Sequence, residues 1–549
     1  VKESDDNMIK KIIGLIVNGN KAKSMKIDNS INLQQAKKMQ DKIFNELLSD
    51  NANLSDVPDT FQLLLSSDEK IKLQAAEVLN HVAGSLSSNQ LVKMDKVFRE
   101  RTSYEWYYNW RNKNPNELLH PAMSQEEKVT ILGLSSFHPN GYFREKAILA
   151  LSNMKTGHEI PYILIRLNDW VRQVRNTSKE QLLRYITSEY VMNFVNNLPL
   201  VLRLRECSRD EHIDIIDKIV SIISSPEGSQ RLISGLQSAD SKVRLACYKI
   251  ILERKVLDNR SIINYLIKDT NPYNRLFVLR NIRDEITQDE FIDISRLLLH
   301  DKCAQIKIIG LELLYHFSPK EALNVLEKSL FDNNQSVREL SRYLLSKNKK
   351  YDFTAIYSDE IQKNEKLYSS ICGLGETGNI DDSKFIIKFM DSDIVKIVKA
   401  SITALARLDI QGNKEKILLF LNDERSGISK TAKKVLYKEI NINDTNTIYR
   451  IFKQATYDHV KINSGILLCS LSKWNAIRYI IELCSDKNEE ISILGQRALE
   501  SWKLKYNQSF ATPSNIQIKE LREALECFRK SIKDSDRDFI EFCIRDFSK

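Results

Sequence analysis

Few side chains in this sequence are spaced for bond-making chemistry. The 8 His residues (His81, His120, His138, His158, His212, His300, His316 and His459) are dispersed. No pair has the His-x₃-His or HExxH spacing that sets two imidazoles on one helix face around zinc. The 8 Cys residues are isolated, with no CxxC, and read as free thiols buried on apolar helix faces in a reducing cytosol. No GxxxxGK[ST] occurs. GLGETGN (373–379) follows a helical pattern rather than a strand, which makes it a helix-to-helix turn and not a phosphate loop. No GxSxG occurs either. Acidic pairs such as Asp381 with Asp382 and Glu489 with Glu490 sit in polar turns, where a carboxylate is simply solvated. No catalytic residue, metal or cofactor is assigned. Whether the chain is an enzyme stays open, with a non-enzymatic role favoured.

Binding chemistry is better represented. YEWYYNWRNK (104–113) places Tyr104, Trp106, Tyr107, Tyr108 and Trp110 beside Arg111 and Lys113. Aromatic rings with Arg supply contact area, stacking and hydrogen bonds, the composition of interface hot spots. Exposed rings among cations also suit unstacked bases. The competing reading is an aromatic-packed core within one irregular element. Trp106, Tyr107, Trp110, Arg111 and Lys113 are the candidate contacts from this segment.

The elements that must position such residues are helices. The chain has 549 residues, too many for one compact core, and only 16 Gly and 10 Pro. That scarcity favours helices joined by short polar turns over a turn-rich β-protein. A net charge of +9 permits an acidic partner or nucleic acid and demands neither. No apolar run is long enough to span a membrane. IIGLIV (12–17) after Lys10 and Lys11 reads as a first helix rather than a signal peptide.

One unit recurs. In SADSKVRLACYKIIL (238–252), Asp240 stands where a helix N-cap belongs, and Val243, Ala246, Cys247 and Ile250 share a helix face. Equivalent anchors are Val243, Asn274, Ile306, Val337, Leu367, Val398, Ile428, Val460 and Ile491, spaced 30–32 residues apart. Earlier copies are anchored at Ile71, Phe143 and Val174, with a degenerate unit near 190–222. Each unit reads as an apolar first helix, a turn with Asp or Asn, and a second helix starting at or just before the anchor. The turn acids are Asp240, Asp269, Asp301, Asp332, Asp391, Asp423, Asp458 and Asp486. A base often follows the anchor: Arg144, Arg175, Arg244, Arg275, Lys307, Arg338, Lys399 and Lys461. Small residues such as Ala246, Gly310, Ala400, Gly465 and Gly495 then let neighbouring helices approach. The expected organisation is an N-terminal helical cap (1–56), a repeat array (57–502) interrupted at 101–121, and a C-terminal helical cap (503–549).

The Asp–x–x–Val–Arg unit, clearest at DSKVRLACYKII, NQSVRELSRYLL and NDWVRQVRNTS, resembles HEAT-like repeats of the phycobilisome-lyase type. Asn274 departs from the pattern at the anchor, and Ser429 and Ser492 depart at the base. The resemblance implies an all-α, right-handed αα-superhelix whose second helices line a concave face, with turn Asp and following Arg pairing along the stack. It implies no common activity. Taking anchor +5 or +6 as inward-facing gives Lys249, Arg280, Arg342, Lys433, Lys434 and Arg497. The same register yields Glu312, Ala404 and Ile466, so the basic row is interrupted, unlike a phosphate-tracking groove. NDWVRQVR (168–175) sets Trp170 beside Asp169, Arg172 and Arg175, residue types that HEAT-like alkylpurine glycosylases place around damaged DNA. Nothing else matches that pocket, and stacking between repeats accounts for Trp170. The expected role is a cytoplasmic adaptor or scaffold binding a protein partner through the concave face and the aromatic insertion. The alternative is a nucleic-acid-binding solenoid, including a glycosylase-like protein.

Overall fold

The computed structural model describes residues 41–49, 53–100, 110 and 112–547. Every regular element among them is an α-helix or a 3₁₀-helix, so the chain is all-α. The residues divide into two compact units, Val1–Glu290 and Phe291–Lys549. The division falls inside the expected array.

In the first unit the second helices of the repeats are Gly141–Ser152, Arg172–Leu183, Ser241–Arg254 and Pro272–Ile282. Short polar caps start them. Asn140 accepts from the Tyr142 and Phe143 amides, Asp240 from Lys242 at 2.8 Å, and Asn271 from Tyr273 at 2.9 Å. In the second unit the equivalents are Ala304–Phe317, Gln335–Ser346, Leu367–Thr377, Val395–Leu419, Ser426–Leu436, Asp458–Cys469 and Glu489–Leu504. Phe143, Val174, Val243, Ile306, Val337, Ile428, Val460 and Ile491 are each the third residue of their helix, and all are buried. Val398, the fourth residue of its helix, is fully buried too.

Leu367 breaks the pattern. It begins its helix and is only half-buried, while Ser369, the third residue, takes the buried place. The preceding turn uses left-handed backbone at Asn364 (φ 57°) and Lys366 (φ 46°), which shifts the frame. The other departures are chemically matched. Asn274 is buried because its amide donates to the Asp269 carboxylate and the Ser241 carbonyl, each at 3.0 Å. Ser429 and Ser492, lacking a base's reach, donate to the carbonyls of Leu421 and Cys484 at 2.8 Å.

Two elements differ from expectation. Val395–Leu419 joins the second helix of one unit to the first helix of the next across a bend at Asp409 (φ −157°, ψ 84°), whose side chain accepts from the Gly412 amide at 2.8 Å. GLGETGN is mostly helix: residues 373–377 end Leu367–Thr377, with Gly373 under the Tyr357 ring. Small residues do permit close approach. A Cβ on Gly310 would lie 2.8 Å from that of Leu298, and one on Gly495 would strike the Cys484 backbone.

The degenerate region holds Val191–Asn196, Leu198–Arg203 and Ile213–Ile223. The C-terminal helices are Asn515–Cys527 and Asp534–Ile544, packed on Trp474 and Trp502. Of the predicted N-terminal helices, 41–47 is helical, and 8–17 and 31–40 lie outside the described residues. Cys247, Cys484 and Cys543 are buried thiols, whereas Cys527 is exposed.

Val337 should act as a packing anchor. Val337→Ala is expected to lower unfolding free energy by about 1–3 kcal/mol in a denaturant titration, through lost burial and the cavity left behind. An unchanged midpoint would remove Val337 from the core.

Candidate functional site

The ionisable residues of the turns form a repeating bridge. Arg144 holds Asp169 with two hydrogen bonds, 2.9 Å from Nε and 2.7 Å from Nη2. Arg244 holds Asp269 the same way, at 3.0 and 2.8 Å. Lys307 reaches Asp332 and Lys461 reaches Asp486, both at 2.6 Å. Each base thus crosses to the turn of the next unit. The acid also shapes its own turn. Asp169, Asp269, Asp332 and Asp486 accept the amide two residues on, at 2.8, 2.8, 2.7 and 3.0 Å. Of the turn acids expected from spacing, Asp269, Asp332 and Asp486 bridge, Asp240 caps its helix, Asp423 pairs with Arg425 inside its own turn, and Asp458 is already the first residue of its helix.

Asp169 is the most heavily loaded of them. It is fully buried and also receives Arg99 at 2.8 Å and Arg166 at 2.6 Å. Asp95 completes the cluster by pairing with Arg99 and Arg166. Burial alone would raise the Asp169 pKa. Arg166, Arg144 and Arg99 outweigh it and hold the carboxyl well below the usual carboxylate range. An acid so enclosed is structural and is not placed to serve a glycosylase-like pocket. Its neighbour Trp170 is 70% exposed, which corrects the expectation of stacking between repeats. The Arg209 guanidinium lies 4.2 Å from the Trp170 ring centre, Val171 beside it is exposed, and so is Tyr142, which follows the Gly141 that packs against Val171.

The aromatic insertion splits. Trp106, Tyr107 and Arg111 lie outside the described residues. Trp110 is 2% exposed, stacked on Phe61 at 5.6 Å and set edge-on against Phe143 at 5.1 Å. It belongs to the core, as its size and ring chemistry allow, so it offers no ring to a partner. His138, 4.8 Å from Trp110, is buried beside Arg144, and burial followed by that charge pushes its pKa down to about 3. Lys113 is half-buried, and its carbonyl accepts from Lys146 at 3.4 Å.

The predicted basic row is uneven. Lys249 and Arg280 in the first unit are exposed, with Lys249 5.9 Å from the Phe277 ring centre. In the second unit Arg497 is exposed and Lys433 half-buried. Arg342 is tied down. Its Nη1 donates to Glu376 Oε2 at 2.9 Å and to the Tyr357 hydroxyl at 3.1 Å. Glu376 was not singled out by spacing, because its hydrogen-bonded partners Arg342 and Arg338 lie 34 and 38 residues away rather than the 25 of the bridge. Gly373 and Gly375 in its helix were the available signal. Among the described residues no group of three or more His, Cys, Asp or Glu could hold a metal ion, and no helix is long and apolar enough to cross a membrane.

No family model and no curated protein matches this chain. Among solved structures, Kap121p is 12% identical, aligned over 95% of this chain and 72% of its own, with a TM-score of 0.32. The karyopherin Kap121p bound to the SUMO protease Ulp1p is 12% identical over 98% of this chain and 77% of its own, with a TM-score of 0.31. An engineered protein is 13% identical over 90% and 98%, with a TM-score of 0.17. Superpositions this loose have no bearing on function.

Asp169 supplies a pH signature. Its folded pKa lies below the ordinary value of about 3.9, so its stabilisation is fully present above that pH and is lost as the pH falls from there through the lower folded pKa. Asp169→Asn should cost about 3–5 kcal/mol at neutral pH and flatten the loss of stability below about pH 5. Acid titration of both proteins by circular dichroism checks this. Parallel curves would contradict it.

Proposed function

We propose that this chain is a protein-binding adaptor or scaffold built on HEAT-like repeats. The carrying observation is the pair of Trp170 and Arg209. A large ring stands in solvent with a guanidinium already stacked on it, and Trp and Arg are the side chains that most often dominate a protein interface. The rigid turn beneath, fixed by the Asp169 ion pairs, lowers the entropy lost on docking. Tyr142 and Val171 extend the apolar contact. Lys249, Arg280, Lys433 and Arg497 are proposed as further contacts, together with Trp106, Tyr107, Arg111 and Lys113 of the insertion. The 30–32-residue unit with its bridging Asp supports a kinship with phycobilisome-lyase-type repeats, and a cytoplasmic setting fits the free thiols.

The test starts with nuclease-treated native lysate. Captured proteins are identified by mass spectrometry, and one is purified and titrated against the parent, Trp170→Ala and Arg111→Glu. Trp170→Ala should weaken binding by about 2 kcal/mol, roughly thirtyfold, with an unchanged melting temperature. Arg111→Glu should weaken it without melting the fold. Unchanged affinity in Trp170→Ala removes that face from the interface. Capture abolished by nuclease would replace the protein partner with nucleic acid.

A further inference from the structure

In the second unit three guanidiniums converge on one carboxylate. Arg338 engages Glu376 through Nε at 3.3 Å and also through Nη2, Arg342 through Nη1 at 2.9 Å, and Arg407 lies 3.6 Å away. The Glu376 and Arg338 side chains are 4% and 3% exposed, Arg342 12% and Arg407 42%. A fourth cation, Lys396, sits 3.8 Å from the Tyr368 ring centre and donates to Asn333 at 3.1 Å.

The charges do not balance. Three guanidiniums face a single acid, Lys396 lies over the Tyr368 ring, and among the described residues no second carboxylate pairs with any of these four cations. This follows from the broken bridge. Where the repeat would place an acid for Arg338, one repeat ahead, the chain has Lys363. Asp332, the acid of the preceding turn, is taken by Lys307 and lends Arg338 only its carbonyl, at 2.7 Å. Glu376 satisfies Arg338 and leaves surplus positive charge at a partly buried place, where an unpaired charge is costly. Donors also remain. Nε and Nη2 of Arg342 and Nε of Arg407 have no acceptor among the described residues, and Arg407 Nη2 donates to Gln335 at 3.0 Å.

We infer that this cluster is a docking site for an acidic peptide segment of a partner protein, with an Asp or Glu carboxylate seated between Arg342 and Arg407 and close to Lys396. The inference rests on the protein-binding reading above and names the partner's chemistry. Planar guanidiniums match a carboxylate through paired N–H donors, and the Tyr368 ring offers apolar surface to the peptide chain. One dense cluster with an acid at its centre suits a peptide side chain better than a nucleic-acid backbone, which calls for a continuous basic track.

The probes are a fluorescein-labelled oligoglutamate peptide, a labelled oligolysine peptide and a labelled single-stranded DNA. Binding to the full chain is read by anisotropy at physiological salt. Oligoglutamate should bind and oligolysine should not. Arg407→Glu and Lys396→Glu should each weaken oligoglutamate roughly tenfold or more, with circular dichroism unchanged. Arg407→Lys should recover part of the affinity. The charge-matched control Lys530→Glu, on an exposed base outside the cluster, should have no effect.

Absent oligoglutamate binding, or an equal loss in Lys530→Glu, overturns the site. Tighter binding of DNA that depends on Arg407 assigns the cluster to nucleic acid and overturns the peptide. If oligoglutamate fails while the identified partner still needs Trp170, only this inference falls. If nuclease also abolishes capture from lysate, the protein-binding reading falls with it.

Discussion

The structure depends on a carboxylate shared between two turns. In the bridge from Arg244 to Asp269, the acid accepts two hydrogen bonds from the preceding unit, and one of the same oxygens accepts the Asn271 amide of its own turn. Its backbone carbonyl accepts Arg275 at 2.8 Å, the base of the following helix. Arg244 in turn donates to the carbonyls of Ser238 and Ala239, which opens its own helix. The polar groups named here are answered partly within their own turn and partly by the neighbouring one. The units can therefore bury their helix ends without leaving unsatisfied donors, a condition that packing of apolar anchors alone would not meet.

Departures from this bridge mark the unusual places. At Asp169 three guanidiniums converge on one acid, and the turn they stiffen holds Trp170 out in solvent. At Arg338 the acid is missing from its expected position, the turn resorts to left-handed residues, and Glu376 is recruited from elsewhere. The same element that regularises the array thus creates, by over-supply or by absence, two charged or aromatic surfaces.

Much of the architecture was legible because burial repeats. Val243, Ile306, Val337, Val398, Val460 and Ile491 sit at equivalent depths because each begins an apolar face just inside a helix start. The bridging Asp was half legible: its spacing was visible, but acids that cap helices share nearly the same register. Aromatic exposure was not legible. Trp110 and Trp170 both stand beside Arg in the sequence, yet one fills the space between Phe61 and Phe143 while the other carries Arg209 in solvent. Local composition does not tell whether a ring points along or away from the stacking direction. Glu376 was out of reach for a different reason. Its partners Arg338, Arg342 and Arg407 sit on two other helices, and such a convergence is a tertiary fact with no fixed separation in sequence.

The central claim is that the base-to-acid bridge couples neighbouring units energetically. A double-mutant cycle on Arg244→Met and Asp269→Asn, followed by urea unfolding, measures that coupling directly. The bridge predicts a favourable interaction energy of about 1–3 kcal/mol, with the double variant less destabilised than the sum of the singles. Additivity to within about 0.5 kcal/mol would contradict it and return the stability of the array to apolar packing alone.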